Sequence, residues 1–415
     1  MQVAVIGGGV MGVCTAYFLA DAGHAVSVFE RHGNVAEQAS FGNAGIVAPA
    51  FATPWAVPGA PRKLFAALFK SSSPYMLKSR LDPAMWRWLS RWASESELQR
   101  FRRNRQRMQR IAHYSRSVLQ QVRDYEKFDY EQTSGYLQLF RSERDLALAQ
   151  PLLDLMMEQG VPHQVLDAEG ARVIEPGLSE HAPLAGAWHF NDDATGNCAL
   201  FTKQLKQAAQ ANGVDFQFGC TVKAIEAHGR RVGLQIDRDL IHADAVVIAA
   251  GIDSTALLAP LGISVPLYPV KGYAATAPIK DFEHAPLSAA FDDANKVSIA
   301  RMGNRVRLAG LAEFGARDNE LNEISLRKLV EIGEDWFPHA ANYSGAQYWC
   351  GMRPMLPDGP PLVGASGVPG VYLNLGHGAT GWTMAAGSGK LVADLVTGRE
   401  PDIDTEGLNA TRFHH

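Results

Sequence analysis

The N-terminal stretch from Val3 to Glu30 limits what this chain can fold into more than any other segment. Val3-Ala4-Val5-Ile6 is a short apolar run ending at a glycine, the pattern of a strand buried on both faces. Gly7-Gly8-Gly9-Val10-Met11-Gly12 follows and fits G-x-G-x-x-G. The pattern from Met11 to Ala22 is helical, with Gly23 as its stop, and Val26 to Glu30 reads as a second strand. Each glycine has a separate task. Gly7 permits the tight turn off the strand, Gly9 lets a diphosphate approach the backbone, and Gly12 lets the helix pack close to the sheet. Val10 and Met11 stand at the open helix N-terminus, whose free N–H groups suit an anion. Glu30 comes eighteen residues after Gly12, at the end of the second strand, where a carboxylate accepts hydrogen bonds from ribose hydroxyls. Arg31 adjoins it. The expectation is an α/β chain with a Rossmann-type dinucleotide-binding domain.

A second small-residue segment, Ser40-Phe41-Gly42-Asn43-Ala44-Gly45, follows soon after Glu30. Backbone so uncluttered can lie against a pyrophosphate or an isoalloxazine ring, so Ser40, Asn43, Ala44 and Gly45 join the cofactor set. Ala249-Ala250-Gly251 closes an apolar strand with small residues where the chain passes something bulky. Val222, at the head of the strand-like Thr221 to Ala227, is placed with Ala250 and Gly251 on the cofactor wall. Near the C-terminus, Gly376-His377-Gly378-Ala379-Thr380-Gly381-Trp382-Thr383 forms a glycine-rich turn between a strand and a helix. Gly378, Thr380, Gly381, Trp382 and Thr383 would set the positive helix end toward a flavin pyrimidine ring, stabilising charge that builds there on reduction. His377 reads either as an acid or base or as a polar spacer. Two cofactor-type turns at opposite ends of one chain favour a long buried FAD over NAD.

The length, 415 residues, suits two domains. The dinucleotide-type ends enclose a different middle, in which strands and turns alternate from Val265 to Leu311. The expected division is therefore discontinuous: residues 1–85, 190–265 and 350–415 for FAD, and residues 86–189 and 266–349 for a substrate domain with a mainly antiparallel sheet and helices. Net charge is −4, which argues against nucleic acid as a partner. The four cysteines are scattered with no CxxC spacing, so neither a disulfide scaffold nor a metal site is expected. None lies in a cofactor-type turn, so the FAD is expected to be non-covalent. The strand-like start implies no secretory leader, and no apolar run is long enough to span a bilayer. A cytoplasmic protein is expected.

One stretch qualifies that placement. Arg62 to Arg116 holds fourteen Lys or Arg against Asp82, Glu95 and Glu97, with Phe65, Phe69, Trp86, Trp88 and Trp92 interleaved. The plain interpretation is a solvated basic helix face. The sharper one is peripheral contact with the anionic inner face of a plasma membrane.

Gly351-Met352-Arg353-Pro354 followed by Pro357-Asp358-Gly359 sets one arginine in a rigid frame. A guanidinium fork suits a planar carboxylate. Tyr273, after Val270-Lys271-Gly272, and Tyr136, after Gly135, are candidates for additional hydroxyl contacts.

Together these motifs, with Thr53-Pro54-Trp55-Ala56-Val57-Pro58-Gly59, Leu137-Gln138-Leu139-Phe140, Asn191-Asp192-Asp193-Ala194-Thr195-Gly196-Asn197-Cys198 and Gly381-Trp382-Thr383-Met384, carry a resemblance over nearly the whole chain. The sequence resembles the bacterial FAD-dependent D-amino-acid dehydrogenase small-subunit family, within the D-amino-acid oxidase and glycine oxidase class of flavoproteins. It departs from that pattern at Phe41-Gly42 and at Ser134-Gly135-Tyr136. The resemblance implies oxidation of D-amino acids to 2-oxo acids and ammonia, by hydride transfer from Cα to flavin N5. Electrons would pass to an acceptor other than NAD, such as a quinone. It also implies that Arg353 binds the substrate carboxylate. Relatives that oxidise D-hydroxyproline, D-proline or glycine stay open, as does a non-catalytic FAD subunit of an electron-transfer complex. Monomer and oligomer are equally open.

Overall fold

A computed structural model describes residues 1–67, 73–79, 81–229 and 231–413. Its first element, β1 (Gln2–Ile6), runs parallel to β2 (Ala25–Glu30) through the crossover helix α1 (Val10–Asp21). On its other side β1 pairs in parallel with Ala245–Ile248. The sheet has six strands, and in it Ala245–Ile248 is followed outward by Val371–Leu375 and Leu362–Ala365, while Asp215–Phe218 lies outside β2. The β1 strand therefore has neighbours reached by connections running in opposite directions. A crevice opens at its carboxyl end, the usual ligand position in such a sheet. The near-continuous burial of Val3 to Ile6 follows from cover on both faces.

A second, ten-stranded sheet carries the middle of the chain. Gln347–Met355 pairs antiparallel with Tyr268–Pro278, which pairs antiparallel with Arg305–Phe314, and the order continues through Val297–Met302, Ala289–Asp292, Thr133–Phe140 and Gly186–Thr195. It is mainly antiparallel, as expected; the exceptions are Ala289–Asp292 beside Thr133–Phe140 and Tyr75–Leu77 beside Arg305–Phe314. A small antiparallel sheet spans Val222 to Ala243, where the sequence pattern indicates only its first strand.

Two regions differ from expectation. The helical stretch after Pro83 is broken by Glu95 to Glu97 into Pro83–Ser94 and Leu98–Glu126. Sequence order places the longer helix with the substrate domain. Yet Ile111, Ala112, Val118, Leu119 and Val122 share one core with Val13 and Tyr17 of α1 and with Met384 and Leu391 of the C-terminal helix Gly381–Thr397. Likewise, the first residues of the stretch 350–415 belong to a strand of the large sheet. The basic, aromatic stretch also resolves into parts. Trp88 and Trp92 are buried, whereas Trp86 is 42% and Phe65 61% exposed. Arg100, Arg107 and Arg110 pair with Glu95, Glu406 and Asp404, and Arg105 is buried. Phe69, Lys70 and Arg80 lie outside the described residues. Among the described residues no helix is long and apolar enough to cross a membrane.

Candidate cofactor and substrate site

At the carboxyl end of β1 the chain turns at Gly7, which has φ +108° and whose N–H donates to the Phe29 carbonyl at 2.9 Å. A Cβ there would lie 2.6 Å from the Ala249 carbonyl oxygen, so the strand end and the Ala249-Ala250 corner can meet only at glycine. A Cβ on Gly12 would overlap the Gly7 carbonyl, and this closeness aims the N-terminus of α1 into the crevice. There the Val10 N–H donates to Ser40 Oγ at 3.1 Å. Glu30 sits at the end of β2 and accepts from the Gly8 N–H at 2.6 Å and the His32 N–H at 2.8 Å. Arg31 forms an ion pair with Asp253 at 2.8 Å.

The turn through Asn43 is held from below by a residue that sequence reasoning missed. Arg307 donates to the Phe41 carbonyl at 2.7 Å and the Asn43 carbonyl at 3.1 Å, while its Nε donates to Thr276 Oγ1 at 2.8 Å. Burial lowers its pKa to about 10, which still leaves it cationic. Asn43 Oδ1 accepts from the Gly45 N–H at 2.8 Å and closes the turn. At the C-terminal turn, Trp382 Nε1 donates to the Gly196 carbonyl at 3.1 Å and Thr383 Oγ1 donates to the Ile46 carbonyl at 3.2 Å, tying the helix start to the first turn's flank. The buried His377 ring lies 2.9 Å from Ser388 Oγ through Nε2. Burial pushes its pKa down to about 3, so the imidazole is neutral near pH 7. In that state the ring holds no extra proton to give as an acid, and Ser388 Oγ occupies its Nε2.

Arg353 lies on the strand Gln347–Met355. Its guanidinium folds back over Gly272 of the adjacent strand, where a Cβ would overlap it. One terminal nitrogen donates to the Leu311 carbonyl at 2.9 Å and the other to the Gly310 carbonyl at 3.1 Å. Leu311 has φ +56°, an unfavourable conformation for a leucine, at the irregularity where Arg305–Phe314 slips register against Tyr268–Pro278. The slip turns successive carbonyls onto one guanidinium. Among the described residues Arg353 forms no ion pair, and desolvation lowers its pKa to about 10, so a half-buried cation lines the cavity without a carboxylate.

The two tyrosines differ. Tyr136 is buried with its hydroxyl unpartnered, its ring 5.1 Å from that of Phe51. Tyr273 borders the site, but its ring belongs to the core under the helix Glu323–Trp336 and its hydroxyl donates to Glu313. The expected free hydroxyl contact from Tyr273 is therefore corrected: alternation along the strand turns Gly272 toward the site and Tyr273 away from it.

One cavity of about 1310 Å³ joins these parts. Its wall includes Gly7, Gly9, Val10, Met11, Glu30 and Arg31, then Ser40, Asn43 and Ala44, then Val222, Ala250 and Gly251. At the other end it includes Tyr136, Arg353, His377, Gly378, Thr380, Gly381, Trp382 and Thr383. Gly12 and Gly45 stand behind the wall as packing positions. The volume exceeds the several hundred Å³ of an ordinary small-ligand pocket and suits a dinucleotide with a small second molecule.

The family described as "DAO: FAD dependent oxidoreductase" matches residues 2–395. The chain belongs to the FAD-dependent oxidoreductase family. It is 42% identical to a D-amino acid dehydrogenase of Rhizorhabdus wittichii over 100% of both chains. It is 41% identical to a D-amino acid dehydrogenase of Bradyrhizobium diazoefficiens, over 100% of this chain and 99% of that one. Among solved structures, glycine oxidase from Geobacillus kaustophilus superposes with a TM-score of 0.77 at 23% identity, covering 99% of each chain, a likeness of fold.

Within this FAD-dependent family the cradle fits its cofactor. The open α1 N-terminus, the Glu30 carboxylate and the small residues around Ala249 match a diphosphate, a ribose and a close-lying nucleotide in turn. Of the cysteines, Cys198 and Cys220 reach the cavity wall, and burial pushes the Cys198 thiol up to about 12. Arg307, Gly272 and Leu311 escaped sequence reasoning because their roles arise from register in the large sheet. Among the described residues no cluster could hold a metal ion.

Proposed function

We propose that this chain is an FAD-dependent D-amino-acid dehydrogenase in which Arg353 receives the substrate carboxylate. The observation that carries the assignment is a half-buried guanidinium with no carboxylate partner among the described residues, held by the Gly310 and Leu311 carbonyls at the far end of a dinucleotide cradle. A guanidinium has five N–H donors, and those two bonds leave three for a ligand. A carboxylate docked there fixes which face of Cα is presented to the cradle, so one enantiomer reacts. When bound, FAD supplies the acceptor for the hydride that leaves Cα. The substrate amine reacts in its neutral form, so nitrogen can stabilise the cation that develops. Tyr136 offers its unpartnered hydroxyl to the bound substrate, and neutral His377 holds the C-terminal turn through Ser388. The imino acid then takes up water and releases ammonia and the 2-oxo acid.

FAD is held without a covalent bond in this reading, since no cysteine lies in a cofactor-type turn and the Cys198 thiol on the cavity wall is buried and its pKa pushed up to about 12. Acid precipitation should leave all yellow colour in solution; colour in the pellet would refute this. Anaerobic addition of D-alanine to the purified holoenzyme should bleach the flavin absorbance. D-Proline and glycine in the same assay separate the nearest alternative substrates. Full bleaching by L-alanine with none by D-alanine would sink the assignment.

The electron acceptor in this reading is a membrane quinone. Supporting it, Phe65, Leu81 and Trp86 are 61%, 91% and 42% exposed, and Lys63, two residues before Phe65, is on the cavity wall. Binding to anionic vesicles should fall as salt rises. No binding at low salt would return this face to the role of a solvated helix surface.

A further inference from the structure

We propose that Trp349 is the specificity wall of the substrate pocket, setting how large a side chain fits beside Arg353; this rests on the Arg353 assignment above. Trp349, Gly351 and Arg353 are alternate residues of one strand, so their side chains share a face. Gly351 pairs directly with Gly272 on the neighbouring strand, and the two glycines make a floor with no side chains. Over this floor two groups converge. The Arg353 guanidinium occupies the space a Cβ on Gly272 would need, and the Trp349 indole occupies the space a Cβ on Gly351 would need.

The indole has a second seat. A Cβ on Gly42 would overlap its six-membered ring, so the turn carrying Asn43 rests on the indole while Arg307 ties that turn's carbonyls to the sheet. Trp349 is thus clamped between the floor of the carboxylate site and a turn of the cofactor cradle, and it lines the cavity. A carboxylate on Arg353 brings Cα within a few ångströms of this rigid ring. The group on Cα that points along the strand toward Trp349 meets a flat apolar surface seated between Gly351 and Gly42. The class of substrate so selected is D-amino acids with short side chains.

Holoenzyme carrying Trp349→Ala or Trp349→Phe is compared with wild type for D-alanine and D-phenylalanine. The ratio of kcat/KM for D-phenylalanine over D-alanine should rise about tenfold or more in Trp349→Ala, the scale of a newly opened apolar pocket, and by less in Trp349→Phe. Gly42→Ala should move the ratio the other way, because the added methyl pushes the indole toward the floor. A readout independent of turnover is the dissociation constant of benzoate against acetate, followed by flavin absorbance. Benzoate should gain on acetate in Trp349→Ala and lose in Gly42→Ala. If Trp349→Ala does not fold, the Phe and Gly42 variants carry the same opposed signs. A ratio unmoved by these variants, or moved the same way by both with FAD lost, overturns the wall and makes Trp349 a packing residue. Failure of the Arg353 assignment looks different: no D-amino acid reduces the flavin, and acetate binds Arg353→Lys as it binds wild type.

Discussion

The nucleotide end and the substrate end of the cavity are built by different means. At the nucleotide end, Gly7, Gly12 and Glu30 belong to one βαβ unit, and their contacts are to backbone groups within it or at the adjoining strand end. At the substrate end, nothing is local. Arg353 reaches across Gly272 to Gly310 and Leu311, so three strands from distant parts of the chain fix one guanidinium. The first kind of site is secured when a short segment folds. The second exists only when the large sheet closes in the right register, slip included. Each end should therefore be removable without the other.

The most severe test is Arg353→Lys. An ammonium cannot keep both main-chain bonds and also present a fork to a carboxylate. Truncating a hydrogen-bonded charge pair that the complex buries costs about 2–5 kcal/mol, so kcat/KM for D-alanine should fall at least about thirtyfold. FAD content should stay at the wild-type level. D-Alaninamide, lacking the carboxylate charge, should lose less than D-alanine. Equal losses would make Arg353 a structural arginine, and loss of the flavin would show that the two ends are not separate.

A pair of glycine replacements sharpens the contrast. In Gly12→Ala the methyl falls on the Gly7 carbonyl, so α1 must move and the variant should lose FAD and about 1–3 kcal/mol of stability, as overpacked sites do. In Gly272→Ala the methyl falls on the Arg353 guanidinium, so turnover should fall while FAD remains. Flavin-to-protein absorbance ratios and urea unfolding separate these outcomes. Glu30→Gln is the milder probe at the nucleotide end. Loss of a hydrogen bond to a charged group is worth about 1.5–3 kcal/mol, so the FAD dissociation constant should rise by roughly ten- to a hundredfold with D-alanine kinetics unchanged at saturating FAD.

The same contrast explains what could be read from the sequence. The strand, glycine turn, helix and Glu30 were legible because a contiguous pattern encodes them, and the cavity wall carries nearly every residue so identified. Arg353 was legible as a residue but not as a geometry: nothing near it in sequence indicates Gly272 beneath it or Leu311 at φ +56° beside it. Tyr273 was misjudged for a related reason. Its place after Gly272 suggests the site, yet strand alternation sends its hydroxyl to Glu313 on the other face. The helix Leu98–Glu126 was assigned by its position in the chain, while its apolar stripe packs on α1 and the C-terminal helix. Trp88 and Trp92 sit among basic residues that suggest a surface, but they fill a core with Tyr268 and Phe314.

The smallest expected effect on turnover concerns His377, which stands between the two ends. Its ordinary pKa is 6.5 and burial brings it to about 3 in the folded protein. Between those values the unfolded chain binds a proton that the folded chain refuses, so stability rises with pH across this window and is lost as pH falls below about 6.5. One such group contributes a slope of about 1.4 kcal/mol per pH unit. Glu175 and Asp193 work in the opposite sense, because burial raises each carboxyl to about 7 and their neutral forms are favoured as pH falls. The test is therefore the difference between wild type and His377→Asn, in which those carboxyls cancel. Urea unfolding at pH 6.5, 5.5 and 4.5 should show the variant losing less stability per unit than wild type. At pH 7.5 its turnover of D-alanine should stay within a few-fold, since the ring's Nε2 is engaged by Ser388 and the ring acts as a polar spacer. A large loss of kcat with an unchanged stability slope would make His377 an acid or base after all, and would move catalytic chemistry onto the turn that joins the two ends.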